Sequence, residues 1–263
     1  MGLFGSYKKN SLIKKGNNLV RQKKFEESLD YFDKALKIDP NHVKALEIKA
    51  AVFKMLGRNE EAIESINVAL KIDPQNYQIW TTKSLFLLKL GKNEEALKCA
   101  DNALKLNPNH QTAIYSRAAS LTKLSKYEEA LKSLIKISKT DPSWTRITHN
   151  SIITKGNALV GLKKYKESIE CYNEALELNP ENTDAMKNKA LSFIQLKEYN
   201  EALNCFDQIL KLDPKNADAM WGKGFSLEQQ GNPREALKYY NKTLKINPKH
   251  KLANKMKNDL SGT

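Results

Sequence analysis

Residues 77–110 read YQIWTTKSLFLLKLGKNEEALKCADNALKLNPNH, and this stretch of 34 residues decides the fold. It contains two amphipathic segments, which are separated at Gly91 and closed by Asn107-Pro108. Glycine just after a helix and proline shortly beyond one are residues that end helices. The stretch therefore predicts a helix, a tight turn, a second helix and another turn.

The same pattern recurs along the chain at a nearly constant interval. Five of the six intervals between its prolines are 34 residues, and the interval from Pro142 to Pro180 is 38. The periodic prolines are Pro40, Pro74, Pro108, Pro142, Pro180, Pro214 and Pro248. A period of this length predicts an array of helix pairs, each burying its apolar face against its neighbours. Such arrays offer an extended surface to partners, which favours binding over catalysis.

A common register shows how the predicted helices pack. With the periodic proline at position 32, seven repeats begin at Lys9, Val43, Tyr77, Gln111, His149, Thr183 and Ala217. Positions 8 and 20 then hold only Gly, Ala or Ser, whereas position 24 is mostly large and apolar. Position 19 is glutamate in every repeat, in the first turn of the second helix, where it complements the helix dipole. Small residues opposite large ones predict ridges packed into grooves.

The chain resembles the tetratricopeptide repeat (TPR) family over residues 9–250. The resemblance rests on small residues at positions 8 and 20 and proline at position 32, which are met in register seven times. Position 4 is commonly tryptophan in the family, and here only Trp80 matches, although the other six repeats keep an apolar residue. The resemblance implies an all-α fold, an α–α superhelix (TPR solenoid) of helix-turn-helix repeats whose first helices line a concave groove.

Repeat 4 departs from the pattern and suggests a division of the chain. Ser138 and Thr140 replace the aliphatic residues of positions 28 and 30, and four additional residues fall around 143–148. We therefore expect a flexible N-terminal leader at 1–8, TPR repeats 1–4 at 9–142, an irregular junction at 143–148, TPR repeats 5–7 at 149–250, and a short C-terminal capping helix and tail at 251–263.

Composition bears on the possible partners. The net charge is +14, but only five of the basic residues are arginine, the preferred residue for bidentate phosphate contacts. The lysine excess is thus weaker evidence for nucleic acid than the charge alone indicates. No apolar run approaches the roughly 20 residues that cross a bilayer, and no secretory signal is recognisable, so we expect a cytoplasmic protein without a membrane partner.

The sequence contains no pattern typical of catalysis. There is no Gly-rich phosphate loop, no nucleophile elbow and no metal-ligand spacing of His with Asp, Glu or Cys. His42, His110 and His250 share position 34, between repeats, and are interpreted as solvated turn residues. We therefore predict that the protein is not an enzyme and has no cofactor and no metal site.

The resemblance also implies where a ligand would bind, on positions 2, 5, 6, 9, 12 and 13 of the first helices. The expected peptide-binding groove residues are Asn17, Lys54, Leu85, Lys89, Tyr115, Asn157, Lys187, Asn188, Trp221 and Phe225. The N-terminal half of this set is basic and polar, and the C-terminal half is more apolar. Trp221 is the predicted anchor, so Trp221→Ala is expected to weaken ligand binding while leaving the helical melt almost unchanged.

One ligand mode of the family is not expected here. It grips a C-terminal carboxylate through two lysines, two asparagines and an arginine. Asn157 and Asn188 match both asparagines, but Ile153, Asp218 and Gly222 stand at the other three positions. Loss of the cations removes the charge-assisted hydrogen bonds to the carboxylate, although the asparagines can still bind the backbone of an extended peptide.

The sequence thus predicts a non-enzymatic scaffold or adaptor that binds a protein or peptide segment in its concave groove. An acidic or mixed acidic–apolar ligand is favoured by the basic charge and by Trp221. Two alternatives stay open: a polyanion- or RNA-binding solenoid, and a self-associating structural module that forms homo-oligomers. A steep fall of affinity with salt would indicate the first, and light scattering across concentrations tests the second.

Overall fold

The computed structural model describes residues 3–135 and 145–261, which form fifteen α-helices and no strand. The helices are α1 (Leu3–Arg21), α2 (Phe25–Ile38), α3 (Val43–Met55), α4 (Asn59–Ile72), α5 (Tyr77–Lys89), α6 (Asn93–Leu106), α7 (Gln111–Lys123), α8 (Tyr127–Leu134), α9 (Thr145–Gly161), α10 (Tyr165–Leu178), α11 (Thr183–Gln195), α12 (Tyr199–Leu212), α13 (Ala217–Gln229), α14 (Pro233–Ile246) and α15 (Lys251–Ser261). Seven helix pairs are followed by one single helix, so the predicted all-α repeat fold is confirmed.

By their packing, these residues form two compact units that divide between Ser120 and Leu121. Unit 1 contains α1 to α6 and most of α7, and unit 2 contains the end of α7 and α8 to α15. The sequence placed the division later, at the irregular junction 143–148. Ser138, Thr140 and the first part of that junction lie outside the described residues, so this interpretation of repeat 4 stays a prediction.

Two helices begin earlier than the repeat register indicates. α1 begins at Leu3, so residues 3–8 of the predicted flexible leader are helical. α9 begins at Thr145, so the second half of the predicted junction also belongs to a helix. Neither stretch contains a proline, and the helical hydrogen-bond ladder can therefore continue beyond the point where the packing pattern starts.

Each helix pair is connected by the same tight turn. Position 15 has left-handed backbone, with φ between 59° and 82°, in all seven repeats: Lys23, Gly57, Gly91, Ser125, Lys163, Lys197 and Gly231. The N–H of the following residue donates to the carbonyl of position 11, as Lys164 does to Leu159 at 2.8 Å. This bond is that of a Schellman motif, which ends the first helix and reverses the chain.

Position 34 supplies the cap of the next helix pair. Five side chains there accept a hydrogen bond from a backbone N–H in the first turn: His42, Asn76, Asn182, Asn216 and His250. In the two histidines the acceptor is Nδ1, at 3.1 Å from the donor nitrogen. They satisfy a helix donor that would otherwise lack a partner, so the interpretation of His42 and His250 as merely solvated turn residues is wrong.

The interior is filled by small residues that face large ones, as the register predicts. Positions 8 and 20 are buried in all seven repeats. Where position 8 is glycine, position 24 of the same repeat is aromatic and occupies the space of the missing side chain. A Cβ at Gly16 would lie 2.9 Å from the Phe32 ring, and one at Gly156 would lie 2.7 Å from the Tyr172 ring. Glycine is thus required at these places by close approach of the two helices.

The last helix covers the end of repeat 7. α15 contacts α14, and Met256 and Leu260 pack against a buried cluster formed by Leu227, Ala236 and Tyr240. Ala253 is fully buried. Apolar surface that a further repeat would otherwise cover is in this way removed from water.

Candidate functional site

In unit 2, the predicted groove residues Asn157 and Asn188 are hydrogen bonded to each other. They lie on α9 and α11, the first helices of successive repeats. Asn188 Nδ2 donates to Asn157 Oδ1 at 3.0 Å, and the Tyr172 hydroxyl donates to the same oxygen at 2.8 Å. Burial raises the pKa of Tyr172, which keeps its hydroxyl protonated as a donor. Three side chains from the three helices α9, α10 and α11 therefore hold this amide pair in one orientation.

The bonds within the pair leave one amide donor and one acceptor for a ligand. Asn157 Nδ2 and Asn188 Oδ1 have no hydrogen-bond partner among the described residues, and neither is a buried atom. A peptide backbone offers the matching carbonyl and N–H. Sequence reasoning missed the part played by Tyr172, although a tyrosine at position 24 opposite Gly156 was the visible signal.

Apolar side chains continue the row that Asn157 begins. Position 9 holds Asn157 on α9, Leu191 on α11 and Phe225 on α13. Leu191 is 39% exposed, which is high for a leucine in a packed helix pair. Phe225 is partly buried and stacks on Trp221, with ring centroids 5.7 Å apart. The first helices of unit 2 thus carry a polar group next to apolar surface.

Trp221 is more enclosed than the sequence predicted. Its ring also stacks on His250, with centroids 6.0 Å apart, and packs on the buried cluster of Leu227 and Tyr240. Its Nε1 atom is buried and has no hydrogen-bond partner among the described residues. A ligand contact by Trp221 stays a prediction, but the packing does not fit the expectation that removal of the ring would leave the helical melt unchanged.

Lys187 is the predicted cation of this surface, and two carboxylates offset its charge. Its Nζ lies 3.9 Å from a carboxylate oxygen of Asp184 and 3.9 Å from one of Asp218. Asp218 also lies 3.5 Å from Nε2 of His250. A ligand carboxylate would have to compete with both aspartates, so the surface of unit 2 relies on amide and apolar contacts more than on this lysine.

In unit 1, the predicted groove residues are spread over four helices. Asn17 lies on α1 and lines a polar cleft of about 330 Å³ with Lys14, Arg21 and His42. Lys54 on α3 places Nζ 4.6 Å from the ring centroid of Phe86, a cation–π contact. The residues that line the cleft at Asn17 are mostly basic or polar, and their part in ligand binding stays a prediction.

The other predicted residues of unit 1 lie on α5 and α7. Lys89 is exposed, and Leu85 and Tyr115 are half-buried. Burial raises the pKa of Tyr115. No hydrogen bond in the described part of unit 1 joins Asn17, Lys89 and Tyr115 to one another, in contrast to the amide pair of unit 2. The structure therefore brings together the predicted residues of unit 2 more closely than those of unit 1.

His110, which precedes α7, is enclosed in unit 1. Its ring meets Tyr77 edge-on with centroids 4.8 Å apart, and Nδ1 lies 3.3 Å from the Thr81 hydroxyl oxygen. Burial lowers the pKa of His110, because the charged imidazolium loses solvation. The folded chain therefore favours the neutral ring.

This burial makes stability depend on pH. As the pH falls through the ordinary histidine pKa of about 6.5, the unfolded chain binds a proton before folded His110 does. The free energy of unfolding is then expected to fall, until the pH drops below the folded pKa. Thermal melts between about pH 5 and pH 8 should show that His110→Asn loses less stability than the native chain as the pH falls. Asparagine is chosen because repeat 2 has it at the same position, as Asn76. A difference between the two proteins that is constant with pH would contradict this assignment.

Two other kinds of site, a metal centre and a membrane span, are absent from the described ranges. No group of three or more His, Cys, Asp or Glu side chains there is arranged to hold a metal ion. None of the helices within those ranges combines the length and apolar character that a membrane span requires. Cys99, Cys171 and Cys205 are buried and form no disulfide, and burial raises the thiol pKa of Cys99 and Cys205.

The fold and this surface define a helical repeat protein whose first helices carry the candidate binding residues. Models described as tetratricopeptide repeat match residues 13–77, 153–182 and 189–251, which together are more than half of the chain. The chain belongs to the tetratricopeptide repeat family. A model described as anaphase-promoting complex, cyclosome, subunit 3 also matches residues 67–137.

Solved structures show the same fold. A tetratricopeptide repeat protein from Parabacteroides merdae aligns with a TM-score of 0.76 at 17% identity, covering 98% of this chain and 100% of that one. YrrB, described as a TPR protein with an unusual peptide-binding site, aligns with a TM-score of 0.55 at 25% identity and covers 74% of this chain and 98% of its own. The structure of pilF of Pseudomonas aeruginosa aligns with a TM-score of 0.58 at 17% identity, covering 97% of this chain and 99% of that one. No curated protein sequence matched the chain.

Proposed function

We propose that this chain is a non-enzymatic scaffold that binds an extended segment of a partner protein on the first helices of unit 2. The observation that carries the proposal is the hydrogen-bonded pair of Asn157 and Asn188. It joins the first helices of two successive repeats and leaves a donor and an acceptor unpaired at the surface. The structural similarity to YrrB, whose title names a peptide-binding site, supports the same kind of ligand.

The amide pair suits an extended backbone for a geometric reason. Each peptide unit of an extended segment exposes a carbonyl and an N–H that a helix or sheet would otherwise satisfy. Asn157 Nδ2 can donate to the carbonyl and Asn188 Oδ1 can accept from the N–H. Tyr172 and the pair's own bond hold the amides in place, so little side-chain entropy is lost when a ligand binds.

Leu191 and Phe225 would add the apolar part of the interface. Both occupy position 9, and first helices of successive repeats lie roughly 10 Å apart, a distance that an extended segment spans in about three residues. A segment bound through its backbone at Asn157 and Asn188 can therefore place an apolar side chain against Leu191. The net charge of +14 favours acidic residues elsewhere in such a segment by long-range attraction.

The proposal is tested with a peptide selected from a random display library on the whole chain. Its affinity is then measured by calorimetry for Asn188→Ala and Leu191→Ala. We expect each change to weaken binding by about 1–2 kcal/mol, through the lost hydrogen bond and the lost apolar contact. Leu212→Ala is the matched control, because Leu212 is 46% exposed but lies on α12, a second helix.

Equal affinities for the three variants would contradict the assignment of this surface. Recovery of no peptide, together with RNA binding that falls steeply with salt, would favour the polyanion alternative. A concentration-dependent increase in mass, abolished by substitutions elsewhere, would favour the self-associating module.

A further inference from the structure

Positions 7 and 25 of the repeats carry a pattern of polar residues that has one exception. Position 7 is basic in all seven repeats: Lys15, Lys49, Lys83, Arg117, Lys155, Lys189 and Lys223. Position 25, on the second helix, is Asp or Asn in six repeats: Asp33, Asn67, Asp101, Asn173, Asp207 and Asn241. In repeat 4 that position is Ile135.

Wherever position 25 is an aspartate, it binds the basic residue of the next repeat. Asp33 lies 2.6 Å from Lys49 Nζ, and Asp101 lies 2.7 Å from Arg117 Nε. Asp207 and Lys223 form the corresponding pair in unit 2. The positional pattern is thus an interaction between neighbouring helix pairs, repeated in both units.

At repeat 4 position 25 is neither Asp nor Asn, and the basic residue at position 7 of the next repeat remains. Lys155 is exposed and has no ion pair or hydrogen bond among the described residues. Ile135, in the place of the acid, is 82% exposed, the highest exposure of any large apolar side chain described in unit 2. An exposed apolar side chain thus stands here at a position that is polar in the six other repeats.

Lys155 and Ile135 line the same cleft. The cleft lies between α8, α9 and α10 and measures about 330 Å³. Its apolar wall includes Leu131, Leu134, Ile152 and Leu159. This volume is at the lower limit of typical ligand pockets and suits one or a few apolar side chains.

The charges at the rim make Lys155 the cation that a ligand would meet. Lys164 also lines the cleft, but its Nζ lies 3.1 Å from Glu167 and its charge is thereby offset. Glu174, a further lining residue, already has an interaction partner. Lys155 is therefore the donor beside the apolar wall. In repeats 2, 4 and 7 the basic residue at the same position is bound by an aspartate of the preceding repeat.

We propose that this cleft is a second binding site, which receives a partner segment carrying a large aliphatic side chain next to a carboxylate. The side chain fills the space against Ile135 and Ile152, and the carboxylate binds Lys155 as Asp33 binds Lys49. Such a ligand supplies a carboxylate for Lys155 and covers the exposed side chain of Ile135. The site is separate from the surface of Asn157 and Asn188 and does not depend on it.

The test uses the acetylated, amidated tripeptide Leu-Leu-Asp as a probe, titrated into the full chain with labelled Ile and Leu methyl groups. We expect the methyl signals of Leu131, Ile135 and Ile152 to shift, with an affinity several-fold above that of Leu-Leu-Asn or Ala-Ala-Asp. The first control peptide lacks the charge, and the second lacks the apolar volume. Cleft signals that do not move at millimolar peptide, or that move equally with all three, overturn the proposal.

Ile135→Asp is the decisive variant, because it restores the residue type that repeats 1, 3 and 6 carry and is not expected to impair folding. The new carboxylate would form an ion pair with Lys155, as Asp33 does with Lys49. The affinity for the probe should therefore fall at least about tenfold, while the denaturation midpoint is retained. Lys155→Gln should weaken binding of the probe, and Lys189→Gln, at the same position of the next helix pair, should not. Unchanged affinity for Ile135→Asp, or a shift confined to residues near Leu191, overturns the cleft assignment without bearing on the amide pair.

Discussion

Replacing Tyr172 with alanine is expected to lower the free energy of unfolding of unit 2 by about 3–5 kcal/mol. Tyr172 is fully buried, its ring fills the space beside Gly156, and its hydroxyl donates to Asn157. The substitution leaves a cavity that the rigid helix pair cannot close. Urea denaturation followed by far-ultraviolet circular dichroism measures the loss, and a midpoint close to that of the native chain would show that the ring is not part of the core.

Tyr172→Phe separates packing from the hydrogen bond. It keeps the ring and removes only the hydroxyl, so the stability loss should be about 1 kcal/mol. Asn157 Oδ1 would then keep only the bond from Asn188, and the amide pair would be less firmly oriented. The affinity of the selected peptide should fall in this variant. Unchanged affinity would mean that Tyr172 supports the fold but not the binding surface.

Gly222→Ala is the second substitution with a large expected effect. A Cβ at Gly222 would lie 2.3 Å from Cζ of Phe206, which is only 1% exposed. Alanine in a helix normally adds about 1 kcal/mol of stability over glycine. Here the clash must displace either the ring or the backbone of α13, so we expect a net loss of about 2 kcal/mol, measured by the same denaturation.

A double-mutant cycle identifies the cause of that loss. Phe206→Leu shortens the side chain at position 24, where Ile66 stands in repeat 2. Alone it should cost about 1 kcal/mol through lost packing, but combined with Gly222→Ala it should restore part of the stability. The two effects are expected to be coupled by at least about 1 kcal/mol, because the residues are in contact. Additive losses would place the origin of the effect elsewhere.

Much of the fold could be predicted from short-range features of the sequence. Proline at position 32 cannot continue a helix, small residues at positions 8 and 20 admit a neighbouring helix, and Pro233 starts α14 as its missing N–H predicts. The first two of these effects recur seven times, and the third occurs once. Their repetition makes the pattern specific, and the structure and the family comparisons confirm it.

The candidate site was predictable only in part. Positions 6 and 9 of the register place Asn188, Asn157 and Phe225 on the first helices, where the structure has them. The enclosure of Trp221 was not predictable, because it arises from His250 and from α14, which are distant from it in sequence. Nor did the pattern show that Lys187 lies between two aspartates of different repeats.

The sequence by itself determined the helices, their pairing and the period at which they stack, since these depend on local backbone preferences and on the volumes of a few side chains. Only the tertiary structure decided which side chains a ligand can reach. Exposure and hydrogen bonding are set by residues some 30 positions away, as the bond from Asn188 to Asn157 shows. The same holds for the cleft at Ile135, because its walls come from three helices of unit 2, namely α8, α9 and α10.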